Sequence, residues 1–319
     1  MTRNAVWIRD RVGAVLVPLA VACTDAGQAG GVQEPVDLSN VPAFSADSAH
    51  AFLRMQVEFG PRVPGTDAHR AQLEWMQEHL RQHADTVIRQ DFRHDVGQAT
   101  LDFANLFARF RPNAAERVLL VAHWDTRPTA DAESDPARRE QPIPGANDGA
   151  SGTAVLLHLA EILSREPPPI GVDLLLVDGE DYGPYESNMY LGAKHFAANM
   201  PAGYAPLYGI LLDMIGDQDP QFTIEGYSRS YAPEVVERVW RMAEQLGHGG
   251  VFVRRSGISI SDDHVPLNKA GIRTIDVIDF DYGPGNRYWH TLDDDVERTS
   301  PRGLGAVGEV VTALIYRGG

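Results

Sequence analysis

The residues of this chain best suited to chemistry are histidines and carboxylates held in short, separate motifs. They are His123 in HWD, Asp148 in GANDG, Glu180 and Asp181 in GED, Asp213 in LLDMIG and His290 in WHT. Imidazole and carboxylate donors together suit a divalent cation of zinc type. All but His290 stand at or just after an apolar run that reads as a strand, or at the turn into the next helix. In an open α/β sheet the carboxyl ends of the strands line one crevice, and ligands bind there. Convergence of these side chains predicts a metalloenzyme.

Taken singly, each motif also has a plainer reading. Asp125 follows His123 by two residues and can accept the second ring N–H of a metal-bound imidazole. Asp148 lies in a small-residue turn and can equally cap the helix that follows. Glu180 and Asp181 are adjacent like charges, which a cation would reconcile, one binding it while the other carries a proton; solvated charges at a strand end are the alternative. Asp213 is embedded in apolar sequence and needs a partner, either a metal or a buried counter-charge. Asp262, Asp263 and His264 open a short helix, where capping accounts for one acid but not for both. His290 gains weight from its company, including the preceding Trp289.

The intervening sequence supplies elements able to position these residues. Apolar or alternating runs predict strands at 86–93, 100–110, 118–122, 172–177, 208–215, 221–226, 251–254 and 272–278. Helical periodicity and caps predict helices at 45–59, 66–83, 149–163, 190–199, 233–246, 262–270 and 301–316. Such alternation predicts a single α/β domain: a mostly parallel, mixed central β-sheet with helices on both faces. The polar loop 126–146, with Asp131, Glu133 and Asp135, is long for a mere connection and reads as a rim or lid.

Of the 319 residues, 1–22 carry a basic start and an eleven-residue apolar core, a secretory signal too short to span a bilayer. The one cysteine, Cys23, follows LAVA as in a lipoprotein cleavage box, so an exported, lipid-anchored protein facing the periplasm or the outside is expected. Residues 23–44 read as a flexible tether and 45–319 as the catalytic domain. With one cysteine the domain holds no internal disulfide. The net charge of −16 would become −18 without the leader, which excludes a phosphate-binding surface and hence nucleic acid.

HWD, GANDG, GED, LLDMIG, DDHVPL and WHT occur in this order over residues 50–317, and this ordered set resembles the zinc aminopeptidase superfamily. DDHVPL and WHT, with the EDYG run, resemble in particular the bacterial glutaminyl-peptide cyclotransferases. The resemblance implies that Asp148, Asp181 and His290 bind one zinc and that Glu180 is the general acid/base. It further implies that Asp213 and Asp262 hold the substrate amine and the proton network, and that Trp289 walls the glutamine pocket. Asp125 and Asp263 would support these groups from behind. The implied reaction closes an N-terminal glutamine of a peptide or protein to pyroglutamate with release of ammonia. Two other readings stay open. A second metal on His123 and Asp213 would suit an aminopeptidase, and a binding lipoprotein could reuse the fold without catalysis.

Overall fold

The computed structural model of the chain describes residues 37–319; the leader, Cys23 and the tether as far as residue 36 lie outside the described residues. The central sheet has six strands, β1 (Thr86–Val96), β2 (Ala99–Phe110), β3 (Arg117–His123), β4 (Gly171–Val177), β5 (Gly209–Asp213) and β8 (Thr274–Ile278), ordered β1-β2-β4-β3-β5-β8. Strands β4, β3, β5 and β8 run parallel, while β1 and β2 add an antiparallel hairpin at one edge. A separate parallel pair joins β6 (Phe222–Ile224) to β7 (Phe252–Ser256).

Strand β3 is buried along its whole length and feeds both faces of the sheet. Val118, Leu120 and Ala122 join the larger core, under helices α1 (Ala46–Glu58), α3 (Ala150–Arg165) and α8 (Pro301–Tyr316). Leu119 and Val121 point the other way, towards Phe196 of α4 (Leu191–Ala198) and Leu267 of α7 (His264–Lys269). This two-residue alternation, apolar on both faces, is the signature of a parallel strand covered by helices on each side. The remaining helices are α2 (Asp67–His83), α5 (Gly226–Tyr231) and α6 (Pro233–Gln245).

Topology puts the crevice where the sequence analysis places it. From β3 the chain crosses through α3 to β4 on one side, and from β4 it passes through α4 to β5 on the other. The carboxyl end of β3 therefore lies at a topological switch point, where ligands of such sheets bind.

Two expectations need correction. Helix α5 was not foreseen, because GYSRSY has no apolar period; Glu225 initiates it by accepting the N–H groups of Tyr227 and Ser228. The packed domain also begins before residue 45, since Phe44 is buried in the larger core with its ring edge against His158.

Candidate metal centre

His123 ends β3, and its ring is crowded by the turn that leads into α3. A Cβ on Gly149 would lie 2.6 Å from His123 Cε1, so only glycine lets that turn pass. Asp148, just before it, does not cap α3, whose N-cap Gly149 makes no side-chain bond. Its carboxylate is left to face two rings. Oδ1 lies 3.2 Å from His123 Nε2 and Oδ2 lies 3.7 Å from His290 Nε2.

The GED segment follows β4 through Gly179, whose positive φ of 70° turns the chain across the strand ends. Here Asp125 makes contacts beyond the one its spacing from His123 suggests. Its carboxylate accepts the backbone N–H groups of Glu180 and Asp181 at 3.1 and 3.2 Å, and it stands 3.6 Å from His123 Nδ1, too far for a hydrogen bond. Asp125 shapes the acidic loop with the imidazole close beside it. Asp213 closes β5 and bonds through Oδ1 to His123 Nε2 at 3.1 Å. His290 occupies a left-handed backbone conformation, φ 54°, as does Met214 after Asp213, φ 46°. Such outliers in non-glycine residues concentrate where a site over-determines the backbone.

Two groups of metal-ligand type result, sharing Asp148. Asp148, Asp181 and His290 bring one donor atom each within 4.8 Å of one another, and so do His123, Asp148 and Asp213. All five residues are buried. The first group fits a cation. Zinc bonds of about 2.0–2.2 Å in tetrahedral array separate ligand atoms by roughly 3.3–3.6 Å, and His290 Nε2 lies 3.4 Å from Asp181 Oδ1. Asp181 Oδ2 is buried with no partner, the kind of orphaned acceptor that a cation satisfies. Burial opposes charge on His290, but Asp181 and Asp131 outweigh it and push the ring up to about 9. Burial, reinforced by Asp181, raises Asp148, while His290, His123 and Arg127 overcome burial and hold Asp181 below the usual carboxylate range. This is a site that takes up protons when it holds no metal.

Glu180 faces the same space, with Oε2 3.9 Å from His123 Nδ1. Burial, with Asp262 and Asp181 nearby, raises its carboxyl well above the ordinary value. Asp262 sits across the cavity, raised by burial and by Asp213, and backs onto His264 and buried Asp276. Asp263 lies deeper. It does not line the cavity, neither of its oxygens has a partner, and burial together with Asp125 and Asp213 takes it up to about 8 against the opposing effect of His123.

The cavity measures about 360 Å³. Glu180, Asp181 and Asp148 form its polar end, and Tyr190, Ile260, Ile278, Phe280 and Trp289 form its apolar walls. Trp289 stacks on the His290 ring, centroids 3.7 Å apart, and meets Phe280 edge-on. A groove of about 750 Å³ adjoins it, sharing Ile258 and Phe280.

The site also contains residues that sequence reasoning missed. Arg127 donates to Asp181 and Asp131, and Asp131 bonds His290 Nδ1 at 3.1 Å. Their spacing of four resembles any helical or loop ion pair, so nothing local marks them. Asp294 accepts the N–H groups of Asn147 and Asp148 and the hydroxyl of Tyr282, holding the turn that carries Asp148. It is one of three consecutive aspartates, 293–295, and nothing in the sequence distinguishes it.

The profile of Peptidase family M28 matches residues 105–315, a span that includes every ligand-type residue just described. The chain belongs to that family. It is 38% identical to a glutaminyl cyclase of Bacteroides thetaiotaomicron, solved bound to N-acetylhistamine, with a TM-score of 0.85 over 88% of this chain and 100% of that one. A Zn-dependent exopeptidase of Parabacteroides distasonis is 37% identical, with a TM-score of 0.83 over 86% of this chain and 99% of the other. By sequence, a glutaminyl-peptide cyclotransferase of Drosophila melanogaster is 28% identical over 265 residues, 74% of this chain and 71% of the relative. Family M28 membership thus comes with both cyclase and exopeptidase relatives on one shared fold.

Proposed function

We propose that this chain closes the N-terminal glutamine of peptides and proteins to pyroglutamate, releasing ammonia, with one zinc at Asp148, Asp181 and His290. The observation that carries this reading is an asymmetry between the two histidines. A metal-bound imidazole donates its other N–H to a fixed acceptor. His290 has one in Asp131, 3.1 Å from Nδ1. The nearest acceptor to His123 Nδ1, Asp125, stands at 3.6 Å, and His123 Nε2 already bonds Asp213. A single cation suits intramolecular cyclisation, whereas the aminopeptidase reading calls for two.

Zinc, when bound, supplies Lewis-acid polarisation of the side-chain carbonyl. The chain's own residues do the rest. Trp289, Phe280 and Ile278 hold one flat side chain and keep water away. Glu180 accepts the proton that the substrate α-amine loses as its nitrogen bonds the side-chain carbonyl carbon. It then returns that proton to the departing amide nitrogen, which leaves as ammonia when its bond to carbon breaks. The nucleophile is tethered to its target, so no second reactant has to be ordered. Asp262 and Asp213 complete the polar lining through which the amine is held. The adjoining groove offers room for the following peptide.

The leader and Cys23 support the reading that the protein is exported and lipid-anchored, so that its substrates are N-termini outside the cytoplasm. Mass spectrometry of a Gln-initiated peptide incubated with the zinc-loaded protein tests the activity. Loss of ammonia from an otherwise intact peptide is expected. Release of a free first residue, with water added and no ammonia lost, establishes the aminopeptidase instead.

A further inference from the structure

The loop 126–146 reads from sequence as a rim or lid, yet it is fastened to the opposite side of the site. Ala132 N–H donates to the His290 carbonyl at 3.2 Å, Leu292 N–H to Glu133 Oε1 at 3.1 Å, and Ala146 N–H to the Asp294 carbonyl at 3.1 Å. Inside this frame runs a closed ring of side chains. Arg127 reaches Asp181 Oδ1 at 2.6 Å and Asp131 Oδ2 at 2.7 Å; Asp131 Oδ1 meets His290 Nδ1 at 3.1 Å; His290 Nε2 returns to Asp181 at 3.4 Å. The Arg127 guanidinium is buried, with 6% of its side chain exposed.

We infer that Arg127 and Asp131 are positioning residues that preset the cation site, Asp131 by turning His290 Nε2 inward and Arg127 by locking Asp131 and Asp181 to each other. The inference rests on the assignment of Asp148, Asp181 and His290 as the cation site. The chemistry is that of a carboxylate–histidine pair. An acceptor on Nδ1 fixes the proton there, leaves the Nε2 lone pair for the ion and raises the donor strength of the ring. Arg127 uses the planar fork of its guanidinium to span two carboxylates, which a lysine point charge would not do equally well. Its bond to Asp181 Oδ1 holds that carboxylate in place beside His290, with Oδ2 left without a partner. The loop is thereby a scaffold of the centre and not a cover over it.

Zinc alone is the probe. The full chain is stripped of metal and titrated with zinc against a chromophoric chelator, and metal-free melting is followed in parallel. Asp131→Asn is expected to weaken zinc by about 10- to 100-fold. Glu133→Gln, altering the same loop without touching a ligand, is expected to leave the affinity unchanged. Zinc affinity within twofold of wild type in Asp131→Asn overturns the inference, as does an equal loss in Glu133→Gln, which would make anchorage of the loop the cause. Should Asp131→Asn not fold, Arg127→Gln decides: about 10-fold weaker zinc supports the ring, and unchanged affinity overturns it. Asp148→Asn separates the two levels. If it keeps wild-type affinity the cation site itself is misassigned, whereas zinc lost there and kept in Asp131→Asn sinks only the positioning role.

Discussion

His290 and His123 face the two oxygens of one carboxylate, Asp148, yet they are built for different work. His290 enters from a loop, in a strained backbone conformation, with Asp131 behind it and Trp289 flat against it. His123 is delivered by a fully buried strand, bonded to Asp213, with the nearest acceptor to its rear nitrogen, Asp125, at 3.6 Å. One ring has a fixed acceptor behind it, as the proposed one-cation reading requires, and the other has a more distant one. A pair of ligand-like triads in a primary sequence is therefore insufficient to count metal ions. The groups behind the rings are the place to test the count.

The largest effects should come from the supported side. His290→Ala leaves two carboxylates to hold the ion, and zinc retention through dialysis is expected to be lost together with cyclisation; a variant that keeps stoichiometric zinc by atomic absorption would reverse the roles assigned to the two rings. Glu180→Gln comes next. It should keep zinc and lower kcat by about 10²- to 10⁴-fold, in line with loss of a general acid/base. His123→Asn is the discriminating and gentler case. One zinc per chain is expected before and after, with the penalty appearing as a lower melting temperature because Asp213 loses its buried partner. A fall from two zincs to one would break the comparison.

A pH dependence sharpens it further. In the metal-free protein His290 is pushed up to about 9, Asp263 to about 8 and Asp294 to about 7, and His123 and Glu180 are raised as well. Each raised group binds a proton in the folded state that the unfolded chain has already released, so stability is fullest at low pH and declines as pH rises through these values. Metal-free melting should therefore fall between pH 5.5 and 9, and zinc, standing in for the protons on His290 and Asp148, should flatten that slope. Parallel slopes with and without zinc would mean that the ion sits elsewhere.

Much of this site was visible in the sequence because ligand chemistry was written against contrast. Asp213 stands out in LLDMIG, and His123 at the end of VLLVA, since apolar neighbours make a polar residue conspicuous. The strands were equally plain for the same reason, with β3 one residue longer at each end than predicted and β4 one residue longer at its start. Arg127, Asp131 and Asp294 were hidden because they sit among other charges: buried Arg127 and Asp294 look like solvated residues in sequence, and Asp131, itself partly exposed, gives no sign of the ring it meets. Asp125 was only half legible. Two residues past His123 along an extended chain, it shares a face with that ring and stands 3.6 Å from Nδ1, but nothing in the spacing showed that its oxygens would also accept the GED backbone. Local spacing identifies which atoms are available. It does not say which neighbour reaches them first.

The least reactive position in the centre has little tolerance. Because residue 149 carries no side chain, the first turn of α3 can settle directly on an imidazole, and that contact sets the gap between the helix and the strand. A single added methyl would prise them apart and carry Asp148 off its bridging station, so the spacing of the whole centre is measured out by one missing carbon.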